Sequence, residues 1–242
     1  PSRGSWQASV RFRGDDDGEV SKVIPYVACK GGSGLGGPVA EAELRKLPAI
    51  PIFDGKSFDG WEGNQAWFRV EQGAIVAGSL KRDVPQRCEY LMTRKQYGDF
   101  ELTLKGKLIG SNSGIYFRCH RDPNSSEAHG YQLDMGRGVW GNLFDERATR
   151  TMGVEANQGS SGDKFDPNGW NEYRIRCVGP RIQFWLNGQM VIDYTELNQS
   201  IPRKGRIGLQ LHGFGQEHTE AWFKDITVKE WCEQKIDRGN QS

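Results

Sequence analysis

The stretches NSGIYFRCH (residues 112–120), HGYQLDMG (residues 129–136) and GLQLHG (residues 208–213) decide the fold, because each alternates apolar and polar side chains. Successive side chains of a strand point to opposite sides, so Ile115, Phe117, Cys119, Leu133, Met135, Leu209 and Leu211 are expected to share a buried face. The opposite face then carries Arg118, His120, Gln132, Asp134, Gln210 and His212. A solvated sheet face commonly shows Lys, Glu and Thr. His, Arg, Asp and Gln in register on three strands read instead as a polar binding groove.

Outward from these stretches, the chain from Pro51 onward is a series of short strands separated by Gly, Asn, Asp and Pro. The alternation predicts strands at 74–77, 90–93, 100–108, 114–120, 131–135, 173–178, 181–186, 190–194, 206–211 and 221–228. With almost no helical periodicity, that pattern means an all-β, two-sheet antiparallel sandwich of the jelly-roll type. Asn187-Gly188 in FWLNGQMVIDY supplies the positive-φ pair of a type I′ hairpin turn. Phe223, Ile226 and Val228 cannot all face the core under strict alternation, so a bulge is expected near Lys224-Asp225.

The first 48 residues differ in texture. Trp6, Ala8, Val10 and Phe12 alternate, an acidic Gly14–Gly18 turn follows, and residues 20–27 return as a second strand of a hairpin. The acid cluster lacks the spaced ligands of an EF-hand loop. GGSGLGGP (residues 31–38) is a flexible connector without the Gly-Lys-Ser/Thr of a phosphate loop. Residues 39–47 suit a short helix ended by Pro48. The expected organisation is an extension at 1–48, a sandwich at 49–232 and a tail at 233–242.

Composition narrows the partners. The 32 basic and 31 acidic residues nearly cancel, and no basic stripe exists, so nucleic acid is not expected as a partner. The 32 glycines, with eight Trp, seven Tyr and eleven Phe, suit a turn-rich sandwich with rings available for sugars. Five cysteines contain no CxxC pair, which argues against a zinc or thioredoxin-type site. No apolar run reaches the length of a membrane span. The sequence begins at Pro1 without Met, consistent with removal of a signal peptide or tag, and the expectation is a periplasmic or secreted protein.

Nine collinear motifs carry a resemblance: IFDGKSFDGW (52–61), W-x-x-V-x-x-G (67–73), YGDFEL (97–102), NSGIYFR (112–118), GYQLDMG (130–136), GWNEYRI (169–175), WLNGQ (185–189), GLQLH (208–212) and FKDI (223–226). In these the chain resembles the 3-keto-disaccharide hydrolase family, whose fold is of the concanavalin A-like lectin/glucanase type. Many members carry Glu and Gln in a GYExQ strand. This chain has Gln132 and Asp134, followed by WGNLFDERATR (140–150), and resembles a variant group with a GYQ-x-D strand.

The resemblance implies substrates already oxidised to a ketone at C3 of the sugar. Such a ketone acidifies the C2 proton. A base can then remove that proton, and the enolate expels the C1 substituent, with water adding back for net hydrolysis. The parts required are a base, donors facing the C3 oxygen, and an acid for the leaving group. His212 or Asp134 is the candidate base, Arg118 with Lys224 the oxyanion stabilisers, and Asp145 or Glu146 the acid. Asn112, Tyr116, Gln132, Trp140 and Gln210 are further substrate-binding candidates.

Two other functions fit the same groove. A non-catalytic carbohydrate-binding domain would stack sugar on Trp140, Trp185 or Trp222. A conventional glycoside hydrolase on this fold would present E-x-D-x-x-E along a strand, a motif the sequence lacks. A carboxylate and His cluster can also hold calcium, magnesium or manganese, although no spacing demands it. The expected partners are a keto-sugar or glycan and, for keto substrates, a sugar 3-oxidoreductase acting earlier.

Overall fold

The computed structural model describes the backbone of residues 6–12 and 20–26, and residues 44–82, 84–122, 127–136, 139–145, 165–214 and 218–231 in full. The acidic turn, the glycine-rich connector and the C-terminal tail expected from the sequence lie outside these residues. β1 (Trp6–Phe12) and β2 (Val20–Tyr26) form a two-stranded antiparallel ladder of their own, with Trp6 opposite Tyr26 and Phe12 opposite Val20. Of the short helix only Leu44 to Lys46 is described, with Leu44 fully buried.

The remaining strands are β3 (Ile50–Pro51), β4 (Trp61–Glu62), β5 (Phe68–Glu71), β6 (Ala74–Gly78), β7 (Glu89–Thr93), β8 (Asp99–Ile109), β9 (Asn112–Arg121), β10 (Ala128–Gly136), β11 (Leu143–Asp145), β12 (Asn171–Val178), β13 (Arg181–Leu186), β14 (Gln189–Thr195), β15 (Arg206–Leu211) and β16 (Glu220–Trp231). Six of them form one sheet in the order β11-β10-β9-β15-β7-β4. The other sheet runs β14-β13-β12-β8-β16-β6-β5, with β3 paired to β16. Every pairing is antiparallel, and together the two sheets make the jelly-roll sandwich.

Alternation fills the space between the sheets. Ile115, Phe117, Leu133, Met135, Leu209 and Leu211 from the six-stranded sheet join Leu102, Leu104, Tyr173, Ile175, Phe184 and Phe223 from the other in one buried cluster. A Cβ on Gly106 of β8 would lie 3.2 Å from Met135 Cε of β10, so the two sheets pack tightly there. Each fully buried large apolar side chain contributes about 1.5–3 kcal/mol.

The turn at Asn187-Gly188 has φ values of 49° and 80°, as a type I′ hairpin requires. The expected bulge is also present. Asp225 has φ 55°, and the β16–β8 register shifts between Lys224 and Thr227, returning Ile226 and Val228 to the core. β3, β4, β5 and β11, which alternation did not predict, have only two to four residues each. That is too short to show a period of two.

Candidate functional site

The site is built on the face of the six-stranded sheet that points away from the core. A second bulge decides what this face contains. On β9, Cys119 pairs with Arg206 while Tyr116 pairs with Gly208, and on the other side His120 pairs with His129 while Phe117 pairs with Tyr131. β9 therefore holds one extra residue against both neighbours. Arg118 adopts φ 47° and absorbs it.

Two glycines make room for the bulge. A Cβ on Gly130 of β10 would lie 2.5 Å from Cys119 Cα, and one on Gly205, just before β15, would lie 2.4 Å from the Arg118 carbonyl carbon. Past the bulge the alternation inverts, which corrects two expectations. Cys119 clusters with Tyr90, Met92, Tyr116 and Ala128 on the outer face instead of joining the core. Arg118 leaves that face, and its guanidinium donates to Gly98 O at 3.1 Å, Gly179 O at 2.8 Å and Asp99 Oδ1 at 3.2 Å. Arg118 thus ties β9 to the start of β8 and to the β12–β13 turn. His120 lies beyond the bulge beside His129, outside the polar network.

Before the bulge the expected face forms. Gln132 is the strand partner of Tyr116, and Tyr116 of Gly208; Asp134 is opposite Gly114, and Gln210 opposite Tyr90. The Gln132 carboxamide donates to the Asp134 carboxylate and approaches Gln210 Oε1 at 3.5 Å. Gln210 Nε2 donates to the Tyr116 hydroxyl at 3.2 Å and reaches Cys88 Sγ at 3.7 Å. Asn112 lies at the end of β9 opposite Gly136, partly buried, on the same face.

His212 follows β15 directly with the parity of Gln210, and it is half-buried. Burial holds its imidazole below the ordinary pKa, favouring the neutral form. Two buried polar atoms here have no hydrogen-bond partner among the described residues, Gln132 Oε1 and His212 Nδ1. Buried polar atoms are ordinarily paired with protein groups or water, so these two stand out as unsatisfied by the described residues.

Sequence reasoning missed three residues of this face. Tyr90 packs edge-on against Tyr116 with ring centres 5.1 Å apart, and burial raises its hydroxyl pKa, keeping it protonated. Cys88 receives the Gly213 N–H at 3.5 Å. Phe144 of β11 stands directly opposite Gln132. The sequence signal for the first two was the alternation of Cys88, Tyr90 and Met92, which becomes informative once β7 is known to pair with β15.

Three further expected residues among those described are not brought to this face. Trp140 is buried in the core cluster with its ring stacked on Phe165 at 4.6 Å, so it offers no open platform. Asp145 is opposite Tyr131 and shares the inner parity of Leu143, so its buried carboxylate is turned from the groove. Lys224 lies on the eight-stranded sheet, with Nζ 4.2 Å from the centre of the Trp170 ring. Glu146 lies outside the described residues. Trp185 and Trp222 also lie on the far sheet, covered by Arg174 at 4.1 Å and Lys107 at 4.8 Å.

A cavity of about 630 Å³ opens elsewhere, between Trp67, Arg69, Leu80, Arg82 and Glu220, and includes none of the expected site residues. Among the described residues no group of three or more His, Cys, Asp and Glu is placed to hold a metal ion, so no ligand set is assigned. No helix there is long and apolar enough to cross a membrane.

The sequence matches the model of the 3-keto-alpha-glucoside-1,2-lyase-like domain over residues 48–229. No match is found among curated proteins. Among solved structures, a Parabacteroides distasonis protein provisionally named a glycosyl hydrolase is 18% identical over 82% of this chain and 99% of its own, with a TM-score of 0.56. The carbohydrate-binding module CBM66 of Bacillus subtilis is 16% identical over 71% and 96%, with a TM-score of 0.53. A β-glucanase of Bacillus licheniformis is 14% identical over 77% and 98%, with a TM-score of 0.52. At these identities the structural likenesses establish the shared fold.

Proposed function

The chain belongs to the 3-keto-alpha-glucoside-1,2-lyase-like domain family, and from that premise we propose that it cleaves 3-keto-glycosides by elimination on the outer face of the six-stranded sheet. The observation that carries this reading is a pair of buried, unpartnered polar atoms, His212 Nδ1 and Gln132 Oε1, on the face where Gln132 links Gln210 to Asp134. An imidazole kept neutral by burial is a competent base near neutral pH.

In this reading His212 takes the proton from C2. The negative charge that develops on the C3 oxygen is met by the Asn112 amide on the same face and by the Gln210 amide, which gives up its 3.7 Å contact with Cys88 Sγ to do so. The C1–O bond then breaks as the C1=C2 double bond forms. The imidazolium returns its proton to the departing oxygen, so the step releases a neutral alcohol and a 2-hydroxy-enone. Asp134 orients Gln132, whose free carbonyl oxygen accepts from a sugar hydroxyl. Water adding to C1 of the enone completes hydrolysis. The substrate is supplied by a sugar 3-oxidoreductase, since an unoxidised glycoside has no acidic C2 proton.

A site that binds sugar without cleaving it is the second reading. It draws on the mutual hydrogen bonding of Gln132, Asp134 and Gln210, which rigidifies a recognition surface, and on the likeness to a carbohydrate-binding module. The two separate in heavy water. Proton abstraction exchanges the C2 hydrogen of a 3-keto-glucoside for deuterium faster than buffer does, and this exchange is lost in His212→Ala; a binding module leaves the C2 signal at the buffer rate.

A further inference from the structure

Phe214 departs from ordinary rules twice. Its φ of 60° lies in the left-handed region, where a bulky L residue is an outlier. It is also 72% exposed, the one aromatic among the exposed large hydrophobic residues of the described chain. Glycine stands on either side of it in the sequence, at Gly213 and Gly215, yet the left-handed conformation falls on the phenylalanine.

The surroundings hold it there. The Phe214 N–H donates to Pro85 O at 3.1 Å, and the Gly213 N–H reaches Cys88 Sγ at 3.5 Å. Gly213 is pressed so closely onto Arg87 that a Cβ would lie 2.2 Å from the Arg87 carbonyl atoms. The 85–88 segment therefore fixes the turn, and the ring is left outside the core. A strained conformation that its surroundings enforce is characteristic of binding sites.

Its position gives the ring a partner. Phe214 is two residues beyond His212, within about 7.6 Å Cα to Cα. Gln210 lies on the other side of His212, along the strand towards Gln132 and Asp134. With C2 of a keto-sugar at His212 and the C3 oxygen directed towards Gln210, C1 is on the opposite side of C2, and its substituent extends towards Phe214. We propose that Phe214 is the stacking platform for the leaving-group side of the substrate, a second pyranose or an aryl aglycone, whose apolar face lies on the phenyl ring. This proposal rests on the keto-glycoside reading above for its orientation.

The test compares the affinities of unoxidised methyl and phenyl glucosides of both anomers by calorimetry, and follows turnover of the methyl 3-keto-glucosides separately, because phenoxide leaves more readily than methoxide and would bias a kcat/KM ratio. Wild type is expected to favour the phenyl over the methyl compound by about tenfold, the scale of one aromatic stacking contact. Phe214→Ala and Phe214→Gly should bring that ratio close to one, and Phe214→Trp should keep it. The glycine variant suits the backbone at positive φ, so an undiminished Tm separates loss of stacking from misfolding. A phenyl preference that survives both small substitutions, or no preference in wild type, overturns the platform. A Phe214-dependent preference in a protein that does not turn over keto-glucosides keeps the platform and removes the chemistry, whereas turnover with a preference indifferent to Phe214 removes the platform alone.

Discussion

Gln132 lies across Gly114: a Cβ on Gly114 of β9 would be 2.5 Å from Gln132 Nε2 of β10. The absence of a side chain on one strand lets the amide of its neighbour reach both Asp134 on its own strand and Gln210 two strands away. Gly114→Ala should therefore displace the carboxamide. Because Cδ and Cγ of the buried Gln132 would also lie at 2.8 Å, the whole side chain must shift, Tm should fall, and kcat/KM is read on the folded protein. The expected result is a fall in kcat/KM on a 3-keto-glucoside of about tenfold, equivalent to one lost hydrogen bond to substrate; unchanged kcat/KM would show that Gln132 takes no part.

His212 sets the pH dependence. Burial lowers its pKa from the ordinary imidazole value, so kcat/KM should rise with pH through a midpoint below about 6.5 and level off by neutrality. His212→Gln should abolish this limb. The same shift affects stability. The unfolded chain binds a proton at this residue below about pH 6.5 while the folded protein resists it, so stability declines as pH falls through that window and stops declining below the folded pKa. Denaturant titrations at pH 7.5 and 5.5 should show a larger loss for wild type than for His212→Gln.

Arg118 is a structural clamp, with its side chain 1% exposed and directed at two backbone carbonyls and Asp99. Arg118→Ala removes three hydrogen bonds of a buried guanidinium and leaves two partly buried carbonyls without their donor, and should cost about 3 kcal/mol in chemical denaturation. Arg118→Lys should not restore it, because an ammonium lacks the planar fork that spans three acceptors. The folded fraction of Arg118→Ala should retain turnover within about threefold of wild type, below the loss on the order of a hundredfold that follows removal of an oxyanion donor. A loss of kcat at unchanged stability would return Arg118 to the catalytic machinery.

Lys224 offers a contrast across the molecule. It covers Trp170 on the eight-stranded sheet, so Lys224→Ala should leave kcat and KM on a 3-keto-glucoside unchanged. A hundredfold fall in kcat would contradict the placement of the site on the six-stranded sheet.

The two bulges explain how much was legible beforehand. At Lys224-Asp225 the sequence itself exposes the irregularity, since Phe223 and Ile226 both demand the core and strict alternation cannot supply it. At Arg118 no such conflict is visible. Cys119 suits a core position as well as an outer one, so strict alternation passed through the bulge and put Arg118 in the groove. Gly130 and Gly205 were the available clue, two glycines facing the Arg118–Cys119 link, but their meaning depends on knowing that β10 and β15 flank β9.

Asp145 and Trp140 failed for a related reason. Their faces depend on a three-residue strand and on contact with Phe165, and neither leaves a periodic trace. By contrast Gln132, Asp134 and Gln210 were legible because each lies inside a strand with apolar neighbours on both sides. Phe214 had no alternation to mark it, and its interest lies in a backbone conformation that sequence does not display.

The most direct test of the account is incubation of wild type and His212→Ala with matched 3-keto and unoxidised glucosides while following ultraviolet absorbance of an enone. Absorbance should grow with the keto sugar alone, slowed about a hundredfold or more in the variant. Equal cleavage of the unoxidised glucoside, or binding of the keto sugar with no absorbance change and no product, would contradict it.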